Sequence, residues 1–349
     1  LYDERRQIFH IGYNVSDEQL DSNHYDLLAS EARTASLVAI AKGEIRPQHW
    51  LHLSRPLTQV DGYRVLLSWN GSMFEYLMPN LMLRDYDQTL LAQTNRGVVE
   101  RQIRYAREHK IPWGVSESGY YRFDANMNYQ YRGFGVPGLG RKQGLGEDLV
   151  IAPYASLLAL STAPKEVWRN VRRLRREEVM GAYGLYEAVD YTSSRLPLGE
   201  ERAIVRSYMA HHQGMILLAL TNYLRDEALV NDLHNDPRIQ TVELLLQEQM
   251  PERAALEETA EITGREERAE PERVHLRSWT PPSDAPLPMA HVLSNGRYGT
   301  LITTAGSGYS TYTRGEETIA LTRWRADTTL DDWGTWIYVR DEESGALWS

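Results

Sequence analysis

The sequence predicts a mainly α-helical fold followed by a shorter all-β unit. Three observations predict it. Apolar residues recur at helical spacing in long stretches over residues 1–250. A charged, Glu-rich stretch poor in large apolar residues, Pro251–Arg273, then reads as a linker. From Pro286 onward the period changes to alternation, with Asn295-Gly296 placed as a hairpin turn. The expected domains are therefore residues 1–250, a linker at 251–273 and a β unit over 274–349.

Composition narrows the function classes. The 349 residues carry a formal charge of -10, which argues against general nucleic-acid binding, because phosphate neutralisation needs a basic surface. The absence of cysteine rules out disulfides, thiolate zinc sites and thiol nucleophiles. No apolar run approaches the roughly 20 residues that span a bilayer, and no signal peptide is visible behind Leu1-Tyr-Asp-Glu-Arg-Arg6. The segment is expected to be soluble, and the missing initiator Met reads as a fragment of a longer chain. Tyr (21) and Trp (9) outnumber Phe (4), a bias that suits sugar stacking and also ordinary half-buried positions.

In chain order, alternation over Gln7–Tyr13 and turn residues at Asn14–Asp17 read as a short hairpin. Asp21–Asn23 offers caps for a helix with Tyr25, Leu28, Ala32, Ala35, Leu37, Val38 and Ile40 on one stripe, stopped by Gly43. Glu31 lies beside that stripe, either paired with an Arg or facing a cavity. Residues 44–69 read as loop. Asn70–Ser72 can start a helix in which Glu75 has two readings, a substrate-facing carboxylate or a first-turn Glu favoured by the helix dipole. Asp87–His109 is an amphipathic helix.

The loop behind it, Trp113–Tyr121, carries Glu117 between two serines with Trp113, Tyr120 and Tyr121 close by. Aromatic faces that carry a pyranose ring, with a carboxyl group to attack the anomeric carbon or move a proton, are what a sugar-cleaving site needs. The bland alternative is a turn whose Glu caps the next element. Six glycines over Gly133–Gly146 fit neither the P-loop nor the dinucleotide spacing, so a cavity-rim loop is expected instead.

Asp148–Ser161 and Ala163–Val179 read as helices, the second with a solvated arginine face. Gly181–Tyr191 then repeats the earlier composition, with Glu187 and Asp190 among Tyr186 and Tyr191. Two such loops at one end of a helical toroid would converge on one pocket. Arg202–Leu224 reads as a helix bearing His211, His212 and Gln213. Adjacent histidines point about 100° apart on a helix, so they do not chelate one metal as an i, i+4 pair would. No metal and no cofactor are expected.

These residues also carry a family resemblance. Ile11–Val15, Tyr25–Arg33, Leu67–Pro79, Trp113–Ser118, Phe134–Gly140, Tyr186–Tyr191 and Ser207–Met215 resemble the glycoamylase-like middle region of cyclic β-1,2-glucan synthases. His291–Tyr298, Ala305–Tyr309, Leu321–Arg325 and Asp331–Thr335 resemble the start of that family's C-terminal phosphorylase-like region. The resemblance implies an (α/α)6-type toroid followed by a partial β-sandwich, with early toroid helices lying upstream of Leu1. It implies a large parent protein with a membrane-embedded glycosyltransferase and a phosphorylase-like barrel as neighbouring domains, acting on the cytoplasmic side of a bacterial inner membrane.

It further implies that linear β-1,2-glucan is closed into a ring by retaining transglycosylation. Glu117 would be the nucleophile and Glu31 the acid/base. Glu75, Glu187 and Asp190 would bind substrate or tune pKa values. Trp69, Trp113, Tyr120, Tyr121, Tyr186 and Tyr191 would be sugar platforms, and His211, His212 and Gln213 hydrogen-bond donors to hydroxyls. An inverting endo-β-1,2-glucan hydrolase and a non-catalytic glucan-holding module are the competing expectations.

Overall fold

A computed structural model describes residues 1–15, 17–123, 129–196, 199–257, 288–314, 317–322 and 338–348. They form two compact units, one from the residues up to 257 and one from residue 288 onward. The fold is mixed helix and sheet, with several small sheets set among the expected helices.

The first unit opens with two short hairpins, β1 (Tyr2–Asp3) with β2 (Ile8–Phe9), and β3 (Tyr13–Asn14) with β4 (Gln19–Leu20). Within the turn expected at Asn14–Asp17, the Asp17 N–H donates to Asn14 Oδ1 at 3.2 Å. Helix α1 (Ser30–Ala41) starts later than the Asp21–Asn23 caps suggest. The Asp26 carboxylate accepts from the Leu28 and Ala29 N–H groups and holds that stretch in a turn. Gly43, at φ +74°, follows the helix end as expected.

The expected loop at 44–69 contains α2 (Gln48–His52) and the hairpin β5 (Leu57–Val60) and β6 (Tyr63–Leu66). Asp61 and Gly62 both have positive φ between the strands, which is what a two-residue type I′ turn demands. Helix α3 (Met73–Leu77) begins at a capping box built by Ser72 and Glu75. Helix α4 (Leu90–Glu108) is capped by Thr89.

Strands β7 (Ser118–Phe123) and β8 (Tyr129–Arg132) then pair, with Gly119 opposite Tyr131. The expected helix at Asp148–Ser161 divides into β9 (Val150–Ile151) and the short α5 (Pro153–Leu157). Helix α6 (Pro164–Arg176) turns Arg169, Arg172, Arg175 and Arg176 to solvent, as its pattern predicts. A small hairpin, β10 (Met180–Gly181) with β11 (Gly184–Leu185), leads into β12 (Ala188–Asp190). The expected helix at Arg202–Leu224 begins as β13 (Ala203–Val205) before becoming α7 (Ala210–Leu224). Strands β13, β12 and β9 form one antiparallel sheet in that order. Strands β9 and β13 are short apolar runs packed on the core, and periodicity does not separate such runs from buried helix.

Helices α8 (Ala228–His234) and α9 (Pro237–Gln240) complete the helical set, with Pro237 at the first turn of α9. Helix α1 packs on α2, α3 and α9; α3 packs on α4 and α5; α5 packs on α6 and α7; α7 packs on α8. Of the stretch read as linker, the described residues 251–257 are tied to the β5–β6 hairpin. Thr58 donates to the Glu257 carbonyl and Arg64 to the Pro251 and Glu252 carbonyls.

The second unit contains an antiparallel meander, β14 (Ala290–Ser294), β15 (Tyr298–Thr303), β16 (Gly308–Arg314) and β17 (Glu317–Ala320). The predicted turn falls where expected: Asn295 Oδ1 accepts from the Arg297 and Tyr298 N–H groups, and Gly296 has φ +85°. Strand β18 (Val339–Arg340) pairs with β19 (Leu347–Trp348) across the predicted Ser344-Gly345 turn. The remainder of the strand expected at Thr335–Arg340, residues 335–337, lies outside the described residues.

Candidate active site

The strap that ends at Glu117 is held from three sides. Asn170 of α6 donates its side-chain amide to the Trp113 carbonyl at 2.8 Å and accepts from the Trp113 N–H at 3.0 Å. Gln102 of α4 does the same for Val115, at 2.9 and 2.8 Å. The Met73 N–H of α3 donates to the Val115 carbonyl, and the Phe74 N–H to Ser116 Oγ. Gly114 has φ +126°, and a Cβ there would lie 3.0 Å from the Ala152 carbonyl oxygen, so only glycine fits that bend. Fixing the backbone on either side of one residue orients its side chain with little freedom left to lose.

Glu117 itself is half-buried directly before β7. Its carbonyl accepts from the Tyr154 hydroxyl at 3.1 Å, and its carboxylate accepts a hydrogen bond from Tyr131. Tyr131 also lies 3.3 Å from His212 Nε2. His212 is buried, stacked on Tyr154 with ring centroids 3.7 Å apart, and its Nδ1 is 2.9 Å from Glu187 Oε2. Glu187 Oε1 accepts from the Gly119 N–H at 2.9 Å. The result is a continuous array: Glu117, Tyr131, His212, Glu187 and the β7 backbone. Burial, followed by the Glu117 and Glu187 charges, pushes the Tyr131 hydroxyl far above its usual range. Tyr154 is raised for the same leading reason. Both phenols therefore remain protonated and serve as neutral donors beside the carboxylates. Neither tyrosine stands out from sequence. Tyr131 lies in the alternation Tyr129-Gln-Tyr-Arg132, a strand signal, whereas Tyr154 sits in an apolar run with no distinguishing pattern.

Several expected ligand contacts need correction. Glu75 is buried, and its two oxygens accept from Ser68 Oγ, the Trp69, Asn70 and Ser72 N–H groups and Ser72 Oγ at 2.8–3.1 Å. A carboxylate offers about four lone-pair sites, so Glu75 is saturated as a cap and loop anchor and does not face substrate. Burial raises its pKa while the donors pull it back. Asp190 is fully buried and forms a two-pronged pair with Arg195 (2.9 and 3.1 Å), with further donors at the Tyr121 and Thr192 N–H groups. Glu187 and His212 have their polar atoms engaged inside the protein, so they buttress the site instead of touching sugar hydroxyls. Gln213 donates to the Leu185 carbonyl. His211 is exposed, and desolvation followed by repulsion from His212 lowers its pKa.

The aromatic set divides in the same way. Trp69 is 62% exposed on the loop that Glu75 anchors. Tyr121 and Tyr186 are half-buried, the latter packed on Tyr208. Trp113 is only 5% exposed and belongs to the core. Tyr120 is buried, with the Arg132 and Arg195 guanidinium groups 5.3 and 5.0 Å from its ring centre. The Tyr191 hydroxyl donates to Glu177 at 3.0 Å. Trp113, Tyr120 and Tyr191 therefore do not present free sugar platforms.

Glu31 is the second residue of α1, and its side chain lies outside the described residues. Two positions on, buried Arg33 donates from Nη2 to the Glu75 and Tyr76 carbonyls of α3 at 2.8 and 2.7 Å. Helix α3 thus bonds to the first turn of α1 on one side and to the Glu117 strap on the other. The glycine run has a packing role. A Cβ on Gly135 would lie 1.5 Å from the Asn70 carbonyl oxygen and one on Gly140 2.6 Å from the Asn70 carbonyl carbon, so these glycines let the run close onto the Trp69 loop. A separate cavity of about 420 Å³, lined by residues including Arg84, Asp85, Arg96, Asn222 and Asp226, contains none of the expected site residues.

Comparison with known proteins gives the class. Residues 23–237 match the family described as Putative glucoamylase, and the chain belongs to that family, a glycoside hydrolase-like, carbohydrate-active class. Residues 273–349 match Glycosyl hydrolase 94, supersandwich domain. Over its full length the chain is 42% identical to Cyclic beta-(1,2)-glucan synthase NdvB of Rhizobium meliloti (strain 1021), and it spans 12% of that protein. The crystal structure of beta-1,2-glucanase from Parabacteroides distasonis overlaps 51% of this chain and 24% of that one. That overlap has 20% identity and a TM-score of 0.38, a likeness too slight to define the fold. Among the described residues no helix is long and apolar enough to cross a membrane.

Proposed function

We propose that this chain is the ring-closing domain of a cyclic β-1,2-glucan synthase, acting on linear β-1,2-glucan by anomer-retaining transglycosylation. The observation that carries the reading is the half-exposed Glu117 on a strap clamped by Asn170 and Gln102, with Tyr131 donating to its carboxylate. That hydrogen bond holds the carboxylate in one orientation beside the strap, and a positioned carboxylate is what a nucleophile needs. The full-length identity to the synthase supplies the substrate class.

In this mechanism Glu117 attacks the anomeric carbon, and Glu31 protonates the departing glycosidic oxygen. The glucan's own non-reducing end then enters. Glu31 removes the proton from its 2-hydroxyl as that oxygen displaces Glu117, so the configuration is retained. The contacts of α3 with both the first turn of α1 and the Glu117 strap support this pairing. Trp69, Tyr121, Tyr186 and His211 remain as sugar contacts. The alternation in which α3, α5 and α7 follow one another while α4, α6 and α8 each back one of them supports an α/α toroid over residues 1–250. The β unit over 274–349 is then the start of a sandwich behind a linker at 251–273. Membrane glycosyltransferase and phosphorylase-like domains would be neighbours in the parent chain, on the cytoplasmic side of a bacterial inner membrane.

Incubation with linear β-1,2-glucan, followed by mass analysis, tests the proposal. Products one water lighter than the matching linear glucan, abolished by Glu31→Gln and by Glu117→Gln, are expected. Linear products alone would replace ring closure with hydrolysis, and binding without products would replace it with a glucan-holding role.

A further inference from the structure

A second chemical cluster lies outside the carbohydrate site. Among the described residues, Asp3, His10 and His24 offer one ligand atom each, all within 4.8 Å of one another. Three segments bring them together. Asp3 ends β1, His10 directly follows β2, and His24 lies opposite His10 in an isolated antiparallel bridge ahead of α1. The bridge is fixed by backbone bonds from Ile11 to Asn23 and from Tyr25 to Phe9.

Asp3 and His10 are each oriented for metal binding by a contact on the atom that would not bind metal. Asp3 Oδ1 accepts from the Arg5 and Arg6 N–H groups, both at 2.9 Å, which leaves Oδ2 toward His24 Nε2 at 3.7 Å. His10 Nδ1 lies 2.6 Å from the Asp21 carbonyl oxygen. A carbonyl only accepts, so His10 carries its proton on Nδ1 and keeps the Nε2 lone pair free. This histidine–carbonyl arrangement is how proteins set the tautomer of a metal-binding imidazole. His24 Nε2 is buried without a hydrogen-bond partner. A buried imidazole nitrogen left unpaired costs free energy that a ligand would recover.

We infer that Asp3, His10 and His24 form a binding site for a divalent transition metal, with zinc the best match. Two imidazoles and one carboxylate are the borderline donor set that zinc takes, and three protein ligands leave a fourth position for water. Tetrahedral zinc with bonds of about 2.0–2.2 Å wants donors about 3.4 Å apart, so the set closes by side-chain rotation. The ion would clip the N-terminal hairpins to the segment that leads into α1. One group opposes it: Arg6 places Nη1 3.4 Å from His24 Nδ1 and Nε 3.9 Å from Asp3 Oδ2. Its side chain is 65% exposed and free to swing into solvent. Metal binding requires that it does, because a metallated His24 carries its proton on Nδ1, where a guanidinium cannot donate.

The opposing arginine supplies a discriminating test. The chain would be titrated with Co²⁺, following the visible band of tetrahedral coordination, and the Co²⁺ then competed off with Zn²⁺. One saturable equivalent at micromolar concentration is expected, with a zinc-dependent rise in Tm. Asp3→Asn, His10→Gln and His24→Gln should each weaken binding by at least about tenfold, with unchanged far-ultraviolet circular dichroism. Arg6→Ala should tighten it several-fold, by removing a competing positive charge. No saturable uptake, uptake that survives the His10→Gln/His24→Gln double variant, or weaker binding in Arg6→Ala would each overturn the site and leave a simple Asp3–His24–Arg6 charge cluster.

Discussion

Trp113–Tyr121 and Gly181–Tyr191 have the same composition, a carboxylate set among tyrosines and glycines behind a long helix, yet the fold uses them differently. The first leaves Glu117 half-exposed, on a backbone clamped by Asn170 and Gln102. The second buries Glu187 against His212 and Gly119, and Asp190 against Arg195. One loop carries the candidate chemistry and the other buttresses it. The difference lies in where the partners come from. Glu187 and Asp190 take several donors on their buried side-chain oxygens, whereas the Asn170 and Gln102 clamps hold the main chain of the first loop and the half-exposed Glu117 carboxylate accepts from Tyr131.

The largest effect expected from this comparison is a separation of activity from stability. Glu117→Gln should lower turnover of linear β-1,2-glucan by at least about a thousandfold while Tm stays unchanged. Asp190→Ala should do the opposite in kind. It takes the acceptor away from the Tyr121 and Thr192 N–H groups and removes one of the two carboxylates on Arg195, which keeps Asp148. Each donor left unsatisfied costs about 1–3 kcal/mol, and thermal denaturation should report the loss before any assay does. His212→Ala belongs with Asp190, because it strands the buried Glu187 carboxylate; a stable His212→Ala protein would show that the array is not a buttress. Next in size is Gly119→Ala. Its Cβ would lie 3.2 Å from Glu187 Cγ and 3.3 Å from Val205 Cγ1. Overpacking of this kind costs about 1–3 kcal/mol, and because Gly119 is two residues from Glu117, turnover should fall along with Tm.

The sequence made elements with a clear start signal legible and hid short apolar strands. Helices α3 and α4 are capped by Ser72 and Thr89, α6 opens on Pro164, and all three lie within their expected spans. Strands β9 and β13 are two- and three-residue apolar pieces next to helices, so they read as helix. The β5–β6 hairpin had a usable signal in Asp61-Gly62 between alternating strands, but its neighbours read as loop. At the site, residue type pointed to the Glu117 strap and the Glu187 loop. What it could not supply was satisfaction: whether each carboxylate oxygen already has a donor. Glu75 illustrates this, because five donors from Ser68 to Ser72 turn an apparent substrate ligand into an anchor for Trp69. The glycine run was legible as non-nucleotide, but its need for close approach to Asn70 depends on tertiary contact.

The smallest effects sharpen the comparison on the aromatic side, where Trp69 and Trp113 start as equals in sequence. Trp69→Ala should raise KM several-fold and move stability by no more than about 0.5 kcal/mol, as surface changes away from special features do, because the ring is 62% exposed. Trp113→Phe should leave KM unchanged. The indole is buried, and its Nε1 has no hydrogen-bond partner. Losing that donor relieves an unsatisfied group while the smaller ring leaves a partial cavity. These terms oppose each other at about 1–3 kcal/mol each, so Tm should shift little in either direction. A raised KM in Trp113→Phe would mean that the indole N–H reaches a sugar hydroxyl, and the strap would then bind substrate through its tryptophan as well as act through its glutamate.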